Sequence, residues 1–185
     1  MSDGTGLKLV TFDPTSARHV LAKLHREIER IDSAPGDVHV GDHISNAFST
    51  AWQLHQWVWD AIHNEPRLRA AVLKYRGLEE AGVQDSTTFG AALAGRFVPL
   101  KICRVIANTP KHIRVVLAED SKLSDADGES FSSESDESRM LNLSPQRWVA
   151  AIVVMDRTVA ATRLLREIEE YWVTLIHECG IEQLR

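Results

Sequence analysis

Apolar residues return every three or four positions over the first part of the chain. Val20, Leu21, Leu24, Ile28 and Ile31 share one helical face, and His25, Arg26, Glu27, Glu29 and Arg30 fall on the side expected to meet solvent. Asp13 is expected to cap this helix, with Pro14 at its first position. "SAPGDVHVGD" interrupts the pattern with Pro35, Gly36 and Gly41 and reads as a loop. The period then returns in "DHISNAFSTAWQLHQWVWDAIH", with Asp42 or Ser45 as the expected cap. Ile44, Phe48, Ala51, Val58 and Ile62 form one stripe, Ala47, Leu54 and Ala61 widen it, and Trp52, Trp57 and Trp59 point several ways. A helix apolar over so much of its circumference is expected at the centre of the fold.

"HNEPRLRAAVLKYRGLEEAGVQDS" follows and reads as a short helical piece, then a Gly-rich turn at Gly77 and Gly82. "STTFGAALAGRF" reads as a helix weakened by Gly90 and Gly95. Pro99 either kinks that run or opens a fresh helix, "PLKICRVIAN", whose apolar face is Leu100, Cys103, Ile106 and Ala107. Asn108 is expected to cap its end and Pro110 to stop it. The pattern then changes. "HIRVVLAE" and "QRWVAAIVVMD" are rich in β-branched residues and read as two strands of a hairpin. Last comes a long amphipathic helix in "DRTVAATRLLREIEEYWVTLIHECG", with Asp156 expected as its cap and Gly180 as its stop. Its core face is Ala161, Leu165, Ile168, Trp172, Leu175 and Cys179.

The expected fold is therefore mainly α, one domain over residues 1–185. It is a bundle of four to five helices, with a β-hairpin insertion before the C-terminal helix. At 185 residues and 44% hydrophobic content the chain has enough apolar mass for one substantial core. No stretch approaches the roughly 20 apolar residues of a membrane span. The first residues lack a secretory pattern, so the expected location is cytoplasmic, with no membrane partner.

Charge refines the picture. The formal net charge is −5, yet residues 119–137 hold eight acids against Lys122 alone. That segment carries −7 and leaves the remainder at +2. Residues 119–145, acidic and Ser-rich, are expected to form a mobile loop within the hairpin and are a candidate surface for a basic partner. The near-neutral remainder leaves room for a local basic site. Cys103 and Cys179 lie far apart in apolar contexts and are expected to be buried thiols.

The candidate chemistry gathers at "CRVIANTPKH". Arg104 and Asn108, four apart, share a helix face. A turn at Pro110 would fold Lys111 and His112 back toward it. Such a corner suits a phosphate: Arg104 as a bidentate clamp, Lys111 as a point charge, Asn108 as a donor, and His112 as an acid–base group. It also suits a plain helix C-terminus, where basic residues favour the macrodipole. Asp37, His39, Asp42, His43, His55, Asp60 and His63 are residue types that can ligate a metal. They lack the second carboxylate–His pair that a di-metal bundle needs, so no metal and no cofactor is expected. His55, between Trp52 and Trp59, reads as a core histidine with one hydrogen-bond partner, or as the lining of a pocket opposite Asn108.

Three segments together carry a resemblance: "NAFSTAWQLHQWVWDAI", "ICRVIANTPKH", and the strand pair with the closing helix that holds "EIEEYW". "NAFSTAWQLHQWV" and "CRVIANTPKH" resemble a group of bacterial and phage proteins that pair N-A-F-x-T-A-W-x-L-x-x-W-V with C-x-x-x-A-N-x-x-K-H, over roughly residues 42–179. The helical layout also resembles HEPN domains, which are helical, often dimeric and often metal-independent ribonucleases. Their motif places four to six residues between an Arg and a His; here seven separate Arg104 from His112. The resemblance implies a nucleic-acid-processing or phosphate-binding domain, RNA as the ligand, a homodimer, and Arg104, Asn108, Lys111 and His112 as site residues. The alternative is a non-enzymatic interaction module, such as a phage or mobile-element accessory factor, working through the acidic hairpin or an exposed aromatic face.

Overall fold

The computed structural model describes residues 16–109, 114–119, 123, 148–154 and 157–181. Within them the protein is mainly helical, with six α-helices and a small three-stranded antiparallel sheet just before the last helix. The helices are α1 (Ala17–Ser33), α2 (Val40–Ile62), α3 (Pro66–Tyr75), α4 (Ser86–Arg96), α5 (Val98–Asn108) and α6 (Ala161–Glu178). The strands are β1 (Arg114–Glu119), β2 (Trp148–Val154) and β3 (Arg157–Ala160), in the order β1-β2-β3.

As its apolar circumference predicts, α2 sits at the centre and packs against α1, α4, α5 and α6. Ile44, Ala47, Phe48, Ala51, Leu54, Val58 and Ile62 are fully buried. From α1, Leu24, Ile28 and Ile31 meet the same core; from α6, Leu164, Leu165, Ile168, Trp172 and Leu175 do. The Trp172 indole Nε1 donates to the Ala51 carbonyl at 3.1 Å, so this fully buried ring leaves no polar atom stranded.

Helix ends depart from expectation more than helix faces do. α1 starts at Ala17 with Ser16 as its N-cap, whose side chain accepts from the His19 N–H; Asp13 and Pro14 lie outside the described residues. α2 starts at Val40, before either expected cap: Asp42 falls in its first turn and Ser45 inside the helix. Asn108 is the last residue of α5 rather than its cap. Thr109 follows as the cap, its N–H donating to the Val105 and Ile106 carbonyls and its hydroxyl to Val105 at 2.6 Å. Pro99 opens a fresh helix, as one of its two readings had it. Gly180, at φ +67°, ends α6 in the left-handed conformation that Gly takes without strain. Gly77, at φ +63°, does the same after α3, where the Leu78 N–H reaches back to the Leu73 carbonyl at 2.8 Å.

The largest difference is at residues 157–160, expected to be the first turn of the last helix. They form β3, with Ile152 opposite Val159 and Val154 opposite Arg157. β-branched Thr158 and Val159 suit a strand, and pairing with β2 outweighs a helical period that only two apolar positions supported. The expected hairpin is thus a three-stranded sheet, and α6 starts at Ala161, directly after it. Asp156, and residues 120–122 and 124–147 that make up most of the expected acidic loop, lie outside the described residues.

β2 is the middle strand and has two apolar faces. Ala150 and Ile152, with Val115 and Val159, join the main core. Val149 and Ala151, with Val116, Ala118, Ala160 and Leu123, form a second small cluster on the other side. Glu27 is a further correction. Expected on the solvated side of α1, it is only 7% exposed, accepting from Arg30 Nη1 at 2.7 Å and lying 3.2 Å from His43 Nδ1 of α2. The ion pair and the histidine offset the cost of burying the carboxylate.

Candidate functional site

The solvent face of α5 carries the candidate site. Lys101, Arg104 and Asn108 stand at i, i+3 and i+7, so they line one row along the helix. Lys101 and Asn108 are exposed and Arg104 is half-buried. Over those seven residues a helix rises about 10 Å, a span that two neighbouring phosphates can bridge. Lys101 was not among the expected site residues. Its signal is plain in "LKICR", three positions before Arg104, but an Arg–His spacing does not point to it. Lys111 and His112 lie outside the described residues.

Arg104 does not hang free. Its guanidinium carbon lies 5.8 Å from the centre of the Trp52 ring, a cation–π contact between α5 and α2. Among the described residues no carbonyl or carboxylate takes its N–H groups, so the planar fork is held in place without being consumed. His55 also lies against the indole, its ring centre 4.3 Å from that of Trp52. His55 is 3% exposed, and its Nδ1 donates to the Trp52 carbonyl. That bond leaves the Nε2 lone pair as the imidazole's acceptor.

Gly90 of α4 makes room for this ring. A Cβ at position 90 would sit 2.6 Å from His55 Cδ2 and 2.9 Å from Cγ, closer than real atoms approach. Burial is the main force on His55 and pushes its proton affinity below the usual imidazole range; the bond to the Trp52 carbonyl opposes this, and the nearby Arg104 charge adds to it. His55 is therefore a neutral, buried ring with one backbone partner, and it supports Trp52 from within. Its burial with one backbone partner matches the core reading of its place between Trp52 and Trp59, whereas its contact with Gly90 is not visible in a local sequence window.

The other histidines of the metal reading have separate partners. His39 lies 3.8 Å from Asp42, His43 faces Glu27, and the His63 ring meets the Trp59 and Asp60 carbonyls. Among the described residues no three of His, Cys, Asp and Glu gather as metal ligands. The Cys103 thiol is fully buried, donates to the Phe48 carbonyl at 3.4 Å, and is pushed far up by desolvation, so it is not a poised nucleophile. Among the described residues no helix is long and apolar enough to cross a membrane. No protein-family model, curated protein or solved structure matches this chain.

Proposed function

We propose that the α5 face is a binding surface for a phosphate-bearing ligand, with RNA as the leading candidate. The observation that supports it is the Arg104 guanidinium, laid on the Trp52 ring while its hydrogen-bonding fork has no partner among the described residues. Lys101 adds a second positive charge along the same row, and Asn108 adds an amide donor. An arginine so placed suits two phosphate oxygens at once, and its partial desolvation against the indole strengthens each bond. Cleavage of the kind implied by the HEPN resemblance would be the further step. It would rest on His112, the acid–base group expected from the sequence, and would need no metal.

A test is fluorescence anisotropy with a labelled single-stranded RNA 12-mer, against wild type, Arg104→Gln, Lys101→Gln and Asn108→Ala. Arg104→Gln should weaken binding by about 10-fold, in line with the loss of a charged hydrogen-bonding group. Lys101→Gln should lower the dependence of log affinity on log salt by about 0.7, the share of one single-strand phosphate. Equal affinity for all four proteins removes the reading. Gel analysis of the same RNA in the presence of chelator, with His112→Ala as control, separates binding from cutting.

The second reading is a protein-interaction module. Its support is the exposure of Val98 (46%) and Val105 (37%), seven apart on α5. If Val98→Asp and Val105→Asp abolish capture of a protein partner while RNA never binds, that reading replaces the first.

A further inference from the structure

Two ionisable side chains lie against Trp52. Arg104 of α5 lies over its ring at 5.8 Å, and His55, one turn along α2, lies 4.3 Å from it. Gly90 of α4 closes the space behind His55, because only a residue without a Cβ fits there. The imidazole is tied at Nδ1 to the Trp52 carbonyl and cannot swing away without breaking that bond and vacating the Gly90 slot. A cation and an ionisable ring are thus confined around one indole, with the imidazole out of water.

From this arrangement we propose that His55 is a proton-linked regulator of the α5 anion site: a proton on its ring and an anion on Arg104 favour one another. The proposal rests on the reading of the α5 face given above. Its physical basis is charge in a poorly screened volume. Arg104 is the charged group that acts on His55; α4 contributes Gly90 at this contact, and α2 itself contributes the Trp52 carbonyl. With Arg104 bare, its positive charge opposes a second positive charge on the imidazole. A phosphate on Arg104 cancels that opposition, so the imidazole takes a proton more readily. Linkage is reciprocal: whatever the anion does for the proton, the proton does for the anion. Binding therefore tightens as pH falls through the His55 titration, which lies below the usual imidazole range.

The first test needs no ligand and no change at His55. Histidine ring resonances of the full chain are followed by NMR through a pH titration, in wild type and in Arg104→Gln, with His55→Gln used only to assign the signal. Removing the Arg104 charge should raise the His55 midpoint; an unchanged midpoint overturns the coupling. The second test repeats the wild-type titration with saturating single-stranded RNA 12-mer, and again with inorganic phosphate. The midpoint should rise with the bound ligand, and RNA affinity between pH 7.5 and 5.5 should tighten by roughly 5-fold more in wild type than in His55→Gln, at the low end of typical couplings. RNA that binds through Arg104 yet leaves the His55 midpoint in place overturns the regulator and spares the α5 site. RNA that binds Arg104→Gln as well as wild type overturns the α5 reading, and the regulator with it.

Discussion

Among the described residues three arginines lie over aromatic rings, and two of them differ from the third. Arg76 lies 3.7 Å from the centre of the Tyr171 ring and donates from Nη2 to the Tyr171 carbonyl at 2.9 Å. Tyr171 also stacks on Phe97, with centres 4.6 Å apart and planes 8° from parallel, so α3, α6 and the start of α5 meet in one layered contact. Burial pushes the Tyr171 hydroxyl up to about 12, with Arg76 pulling the other way. Arg69 repeats the plan: 5.2 Å over Trp59, with Nη2 donating to the Val83 carbonyl at 2.8 Å. Arg104 keeps the ring and, among the described residues, has no such carbonyl. The same stacked guanidinium is a brace where backbone oxygens take its donors, and a presented group where none of the described residues does. Residue type and aromatic contact alone do not separate the two roles; the hydrogen-bond partner does.

The largest expected effect tests the support beneath Arg104. Gly90→Ala forces a methyl group into the His55 ring, and overpacking of this kind costs about 2 kcal/mol. Thermal melting should show it as a clear fall in Tm. The cost should shrink in a His55→Ala background, where the slot is empty. A double-mutant cycle with no coupling between positions 90 and 55 would mean that the contact does not govern the site.

Arg76→Ala comes next. It removes the layer over Tyr171 and a donor to its carbonyl, so the urea midpoint should fall by an amount equivalent to about 1.5 kcal/mol. Arg76→Lys should recover little of this, because an ammonium cannot stack as a plane. RNA binding should be untouched in both variants. If Arg76→Ala weakens binding as Arg104→Gln does, the distinction between brace and presented group breaks.

How much of this was legible beforehand depends on the range of the interaction. Leu24, Ile28 and Ile31 on α1 and Leu165, Ile168, Trp172 and Leu175 on α6 follow the helical period and are all fully buried; a face is written in every turn, so its signal accumulates. A helix end is written once. Asp13 and Ser16 are both capping residue types, and the cap of α1 is Ser16; Thr158 and Val159 fit a helical window, and their pairing with β2 is a non-local fact. Gly90 illustrates the limit best. Along the chain it is a weak residue in a helix; in space it is the slot for a ring 35 positions earlier. At the candidate site, the Arg104–Asn108 row follows from spacing alone. The contact of Arg104 with Trp52 joins two helices and needed the fold.

The third prediction concerns pH. His55 holds its proton less tightly folded than unfolded, so the unfolded chain binds more protons once pH falls below the ordinary imidazole value of about 6.5. The stability contributed by this group is complete above that pH and drains away as pH falls toward the lower folded value. Wild type should lose stability as pH falls below about 6.5, and His55→Gln should show a shallower loss. Equal slopes would mean that the ring is charged or solvated in the native protein.

The smallest expected effect is the most informative. Arg104→Gln should change stability by no more than about 0.5 kcal/mol, the usual range for a substitution away from buried networks. The reason is the contrast with Arg76: no backbone oxygen among the described residues loses its donor when Arg104 goes, and a glutamine still covers part of the Trp52 ring. A residue that costs little to remove from the fold, and much to remove from binding, is held there for what it meets outside. Urea melts and RNA titrations on the same preparation decide it. If Arg104→Gln falls as far as Arg76→Ala in stability, Arg104 is a third brace, and the α5 face has no special claim to a ligand.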